Sequence, residues 1–146
     1  MNSDDSTARQ SRDQLAAILD AAVDAMVIIG SDRRVQAFSR SAERLFGYRA
    51  DEVLGQNVSM LMPEPHRSRH DAYVTRYIES REKHIIGIGR EIPALRKDGT
   101  TFPAYLSVGE GAGGGFFVGI LHDLTREKET FRRVRELASI VDSTGD

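Results

Sequence analysis

The chain has 146 residues, 40% hydrophobic and 29% charged, which is enough apolar material for one compact core and too little length for two ordinary domains. Twenty Lys and Arg against 22 Asp and Glu leave a net charge of −2, so no broad basic field invites nucleic acid or an anionic membrane. The lack of any cysteine excludes disulfides, thiolate metal sites, cysteine nucleophiles, cysteine-adduct photochemistry and haem attached through Cys-x-x-Cys-His.

The start, Met1-Asn2-Ser3-Asp4-Asp5, has no apolar h-region, and no run approaches the roughly 18 apolar residues of a membrane span. A cytoplasmic location without a membrane segment is expected. Residues 1–12 are polar and are predicted to form a disordered tail. From Asp13, the helical spacing of Leu15, Ile18, Leu19 and Ala22 predicts a leading amphipathic helix. Ala25 to Gly30 is a short apolar run rich in β-branched residues, and Ser31-Asp32-Arg33-Arg34 supplies turn chemistry before Val35-Gln36-Ala37-Phe38; this pattern predicts a β-hairpin. Ser39 or Ser41 then caps a short helix carrying Ala42, Leu45 and Phe46, ended by Gly47, and Asp51 to Leu54 makes another brief helical turn.

Pro63-Glu64-Pro65 is expected to open a helix running to about Ser80, with Glu64 at the positive end of its dipole. Three strands follow over Ile88 to Leu95, Thr101 to Gly109 and Phe116 to Leu124, the first two joined by a hairpin turn at Asp98-Gly99. Beyond them Leu124, Phe131, Val134, Ala138 and Val141 recur at spacings of a short coiled-coil seam, which predicts a homodimer through the terminal helices. The fold class is therefore α+β: a five-stranded antiparallel sheet with flanking helices and amphipathic helices at both ends.

Two places can carry chemistry. On a helix, Tyr73, Val74, Tyr77 and Ile78 cluster around His70, while Arg67, Asp71 and Glu79 point elsewhere. Helical phase alone fits a core histidine bonded to a backbone carbonyl better than it fits a ligand. His66, one turn earlier, offers a zinc pair with His70, but Arg67-Ser68-Arg69 between them brings no carboxylate. In the next strand, alternation places Arg90 in phase with Ile88, Ile92 and Ala94, a face expected to be buried. Arg90 there either meets an anion or polar ligand, or snorkels to solvent from a sheet edge. The strand after it puts Phe102, Ala104, Leu106 and Val108 on one apolar face, which suits a flat hydrophobic cofactor or ordinary packing. Gly109 to Gly114 spells a dinucleotide fingerprint, yet a strand follows it where the fingerprint needs a helix, so it reads as a hairpin loop. No P-loop, Gly-x-Ser-x-Gly elbow or kinase signature is present.

The order of elements resembles the PAS sensor superfamily, and within it the haem-binding oxygen sensors of the rhizobial FixL type. The resemblance covers roughly residues 14–130 and is densest in Ala42-Glu43-Arg44-Leu45-Phe46-Gly47, Gly55-Gln56-Asn57-Val58, Leu61 to Pro65, Arg67 to Asp71, His84 to Arg90 and Asp98 to Pro103. It implies non-covalent haem b with His70 as the proximal iron ligand. It also implies that Arg90 pairs with a propionate or hydrogen-bonds oxygen, with CO and NO as further gas ligands. Arg76 and His84 match positions that contact the propionates; Ile85, Ile88 and Leu106 match distal lining residues, and Tyr73, Val74 and Tyr77 complete the pocket. Val108 stands where a relative has isoleucine, and His66 and Ala104 also depart from the pattern. Arg76 lies about 120° around the helix from His70, a flank from which a long side chain reaches a propionate.

By the same resemblance the chain divides into the tail 1–12, a haem-binding PAS domain 13–128 and a C-terminal signalling helix and tail 129–146. It would be a sensor rather than an enzyme, with oxygen switching off a histidine kinase linked in cis or acting in trans. The alternative is a cofactor-free PAS module for dimerisation or protein interaction. A haem peroxidase is disfavoured because no distal histidine or carboxylate is placed for acid-base work.

Overall fold

A computed structural model describes residues 3–70, 89–111 and 114–144. Helix α1 (Ser3–Ala21) leads into strands β1 (Ala25–Gly30) and β2 (Val35–Phe38), then α2 (Arg40–Phe46), α3 (Ala50–Val53) and a 3-10 turn (Val58–Leu61). Residues 66–70 are helical and are labelled α4. Strands β3 (Arg90–Leu95), β4 (Thr101–Glu110) and β5 (Phe116–Asp123) precede the last helix, α5 (Thr125–Thr144). The five strands form one sheet in the order β2-β1-β5-β4-β3, every neighbouring pair antiparallel. The fold is thus the expected α+β arrangement, with β1 and β5 at the junction of an N-terminal hairpin and a C-terminal meander.

Local chemistry explains each turn. Asp98 Oδ1 accepts from both the amide and the hydroxyl of Thr100, at 2.9 and 2.6 Å, while Gly99 takes φ +91°, a conformation that glycine adopts without steric cost. The same turn is strapped to the helical layer, where Lys97 Nζ reaches Glu52 Oε1 at 2.6 Å and Arg96 Nε donates to the Leu45 carbonyl at 3.2 Å. Helix α2 ends as expected at Gly47, whose amide returns to the Glu43 carbonyl from a left-handed conformation.

Two boundaries differ from expectation. Helix α1 starts at Ser3, so residues 3–12 continue the helix instead of forming a disordered tail, and no Pro or Gly interrupts the segment. The helix expected from Pro63 begins at His66. Glu64 instead acts ahead of it, its Oε2 accepting from the amide and hydroxyl of Ser68 at 3.3 and 2.7 Å. The predicted continuation of this helix to Ser80 lies outside the described residues.

The core fills the space between one face of the sheet and the short helices. Phe46 stands at its centre, its ring 6.0 Å from Phe38 and 5.5 Å from Phe102, with Val27, Val53 and Leu61 around them. Ser39 joins the two layers: only 1% exposed, its Oγ accepts from the amides of Ala42 in α2 at 3.2 Å and of Met26 in β1 at 2.9 Å.

On the opposite face, ionic contacts seat α5. His122 Nδ1 lies 2.8 Å from Asp24 Oδ1 and Nε2 3.0 Å from Glu127 Oε1, so one imidazole joins the segment after α1, strand β5 and the first turn of α5. Lys128 Nζ reaches Glu91 Oε2 in β3 at 2.9 Å. The Asp123 carboxylate caps the same turn, accepting from the Thr125 amide at 2.9 Å. Hydrogen bonds to Asp24 and then Glu127 push the His122 imidazole up from 6.5 to about 9, and the His122 contact holds the Glu127 carboxyl below its ordinary range.

Replacing Ser39 with alanine removes an N-cap and leaves the Met26 amide without its acceptor. Ser39→Ala is expected to cost about 2–3 kcal/mol in urea unfolding, and a loss under about 0.5 kcal/mol would show that Ser39 does not join the layers. Because the folded His122 pKa exceeds the unfolded one, its contribution is complete below pH 6.5 and is lost as pH rises through about 9. Solvent screening reduces its size, since the side chain is 47% exposed. The thermal midpoint of the native chain is expected to fall more steeply over that window than that of His122→Gln; parallel slopes would refute the ionic seat.

Candidate functional site

Strand register assembles the inner face of the sheet row by row. Arg90 pairs with Leu106, Leu106 with Leu121, and Leu121 with Ala25. The adjacent row runs Val108, Gly119, Val27, Phe38. At one end this face is sealed, with Ile92, Ala94, Phe102 and Ala104 all buried. Toward Arg90 it opens: Leu106 and Val108 are half-buried, and Arg90 itself is exposed at the start of the edge strand β3. The expected phase of Arg90 with Ile92 and Ala94 is therefore observed, and its side chain stands at the open end of an apolar wall.

Gly119 was not singled out by sequence reasoning. It lies between Val108 and Val27 in the pairing, and a Cβ added there would meet Leu106 Cδ1 at 3.5 Å and the Val27 carbonyl at 3.6 Å. A larger side chain would extend into the space over Leu106, so glycine leaves this part of the floor bare. The available signal was a glycine at the inward phase of a strand, between Phe117 and Leu121.

His70 is carried by α4, which is anchored from below. Arg67 donates from Nε to the Ser59 carbonyl and from Nη2 to the Met60 carbonyl, both at 3.3 Å, tying the helix to the 3-10 turn whose Val58 and Leu61 plug the core. His70 is half-buried, and its Nδ1 is shut off from solvent. Of the other expected site residues, Arg90, Leu106 and Val108 share the inner face just described. Tyr73, Val74, Arg76, Tyr77, Ile78, His84, Ile85 and Ile88 lie outside the described residues.

The wall with its bare floor and the guanidinium at its open end suit a large apolar group that carries acids at one rim, and His70 on α4 is an imidazole of the kind that can ligate a metal held by such a group. The Gly111 to Gly114 stretch, by contrast, closes a turn between strands, with Gly111 donating to the Phe116 carbonyl at 2.8 Å and Gly114 to the Gly111 carbonyl at 3.0 Å. No helix N-terminus follows it to hold a phosphate.

The family model described as the PAS fold matches residues 13–124. The chain is 50% identical over 127 residues to "Sensor protein FixL" of Bradyrhizobium diazoefficiens, covering 86% of this chain and 25% of that protein. It is 28% identical over 118 residues to "Oxygen sensor protein DosP" of Escherichia coli, covering 80% of this chain and 15% of that protein. This chain thus spans a quarter or less of the length of these two relatives. Among solved structures, the PAS domain of an HTR-like protein from Haloarcula marismortui superposes with a TM-score of 0.61 at 16% identity, covering 84% of this chain and 99% of that one.

Proposed function

The chain belongs to the PAS family, and from that footing we propose that it is a haem-based oxygen-sensing domain regulating a histidine kinase in cis or in trans. The observation that carries this reading is Arg90 at the open end of an inner face whose floor is bare at Gly119, in a chain 50% identical to a sensor named FixL. Similarity to an oxygen sensor in a second relative supports the same ligand.

Haem b, when bound, supplies a ferrous iron with one position open to a diatomic gas: oxygen, or CO and NO. In this reading the His70 imidazole would ligate the iron, and Arg67 holds its helix in place. Arg76 and His84 would neutralise the propionates. Ile85, Ile88 and Leu106 would line the gas side with apolar groups that offer no base to compete for the iron, and Tyr73, Val74, Tyr77 and Val108 would complete the pocket. Arg90 sets discrimination, because a guanidinium donates a charge-assisted hydrogen bond to polarised dioxygen and gains less from the less polar carbon monoxide.

Arg90 and its strand also carry the output. With haem bound, Arg90 would have a propionate or the gas ligand as partner, and a change of partner would be felt at the start of β3 and, through the sheet, at α5. Exposed Leu15 and Ile18 on α1, with Phe131, Val134 and Leu137 on α5, supply an apolar surface for a homodimer whose geometry the motion changes. Ala138 of the expected seam is exposed as well, and the side chain of Val141 lies outside the described residues. Among the described residues no helix is long and apolar enough to cross a membrane, and a cytoplasmic setting belongs to this reading.

Arg90→Ala is expected to weaken oxygen binding by about ten- to 150-fold, with carbon monoxide affinity changed much less, as read by gas titration of the haem-loaded protein. Unchanged oxygen affinity together with an unchanged preference over carbon monoxide would remove Arg90 from the site. His70→Ala should lose the five-coordinate histidine–haem spectrum of the reduced protein; its persistence would assign the iron ligand elsewhere.

A further inference from the structure

The outer face of the sheet contains a second row that the sensing site does not use. Cross-strand pairing places Glu91 beside Tyr105 and Tyr105 beside His122. The two ends of this row hold consecutive residues of α5, Glu91 taking Lys128 at 2.9 Å and His122 taking Glu127 at 3.0 Å. Tyr105 is thus the cross-strand neighbour between the two anchor points of that helix. Gly89 immediately precedes β3, two residues before Glu91 and diagonal to Tyr105. The Tyr105 ring covers it: a Cβ built on Gly89 would collide with Cε1, Cζ and Oη of the ring. The ring rests where a side chain on Gly89 would otherwise stand, so a Cβ added there must displace the ring.

We infer that Tyr105 is a positioning residue that couples the backbone immediately before Arg90 to the first turn of α5. The Tyr105 ring packs directly over Gly89, so a shift of that backbone bears on the ring. When Gly89 moves, the ring moves with it, and the ring lies between the two strand residues that grip Glu127 and Lys128. Tyr105 is 44% exposed on the face away from the core, so its role is not to fill the interior. The consequence for gas sensing, which rests on the reading of Arg90 as the oxygen-side residue, is that a pull on Arg90 crosses β4 through Tyr105 to reach the output helix.

The coupling is tested by a double-mutant cycle read by amide hydrogen exchange over residues 128–131, in the chain as purified and irrespective of its haem content. Gly89→Ala, which adds a methyl under the ring, is expected to raise exchange there by roughly two- to tenfold, because coupled neighbours interact on that scale. In a Tyr105→Ala background the same Gly89→Ala change should have no effect, and in a Tyr105→Phe background, which keeps the ring, it should persist. An α5 unaffected by Gly89→Ala, or an effect that survives Tyr105→Ala, overturns the inference. A chain that takes up no haem would refute the oxygen-sensing reading, while the cycle would still decide whether Tyr105 couples the two elements.

Discussion

The two working faces of the sheet depend on the register in which β3 pairs with β4, Ile92 opposite Ala104 and Ala94 opposite Phe102. All four residues are buried, and burying a side chain the size of Ile or Phe contributes about 1.5–3 kcal/mol. A slip of one residue would turn this set to solvent, so the register is strongly held. Once it is fixed, alternation sets the faces: Arg90, Leu106, Val108 and Gly119 toward the helical layer, and Glu91, Tyr105 and His122 away from it. The same strand therefore presents Arg90 to one face and an α5 anchor to the other.

That shared backbone joins the two faces mechanically. The sealed end of the sheet, built on Phe46 and the β3–β4 turn strapped by Arg96 and Lys97, resists movement, whereas the end at Gly89 and Arg90 belongs to an edge strand with only one neighbour. Displacement concentrates where restraint is least. Helix α5 is seated largely by exposed ionic contacts at Glu127 and Lys128, each of which contributes little alone. A seat of this kind can be biased by small movements of its anchors without disturbing the core.

Much of this was legible in the sequence because it rests on local patterns. The alternation in Arg90-Glu91-Ile92-Pro93-Ala94 gave the face of the arginine, Asp98-Gly99 gave the turn, and Ser39 with Gly47 bounded α2. The residues that escaped are those whose meaning depends on pairing between distant strands. Gly119 is informative only when it is set between Val108 and Val27, and the contact of His122 with Asp24 bridges 98 positions. The extension of α1 ahead of Asp13 was missed for a different reason. Residues 6–12 have exposed side chains and no apolar period, so the pattern that reveals a packed helix was absent and only the lack of a breaker pointed to it. For His70, helical phase favoured a core residue; resemblance, not spacing, supplied the expectation of a ligand.

The central claim, that this fold holds a gas-binding haem, is tested most directly by the absorption spectrum of the purified chain after addition of haem, then dithionite, then air. The account predicts stoichiometric uptake, a five-coordinate ferrous spectrum under dithionite, and a reversible change on exposure to oxygen once the excess reductant is removed. A chain that stays colourless with haem present, or a reduced haem spectrum that oxygen leaves unaltered, would contradict it.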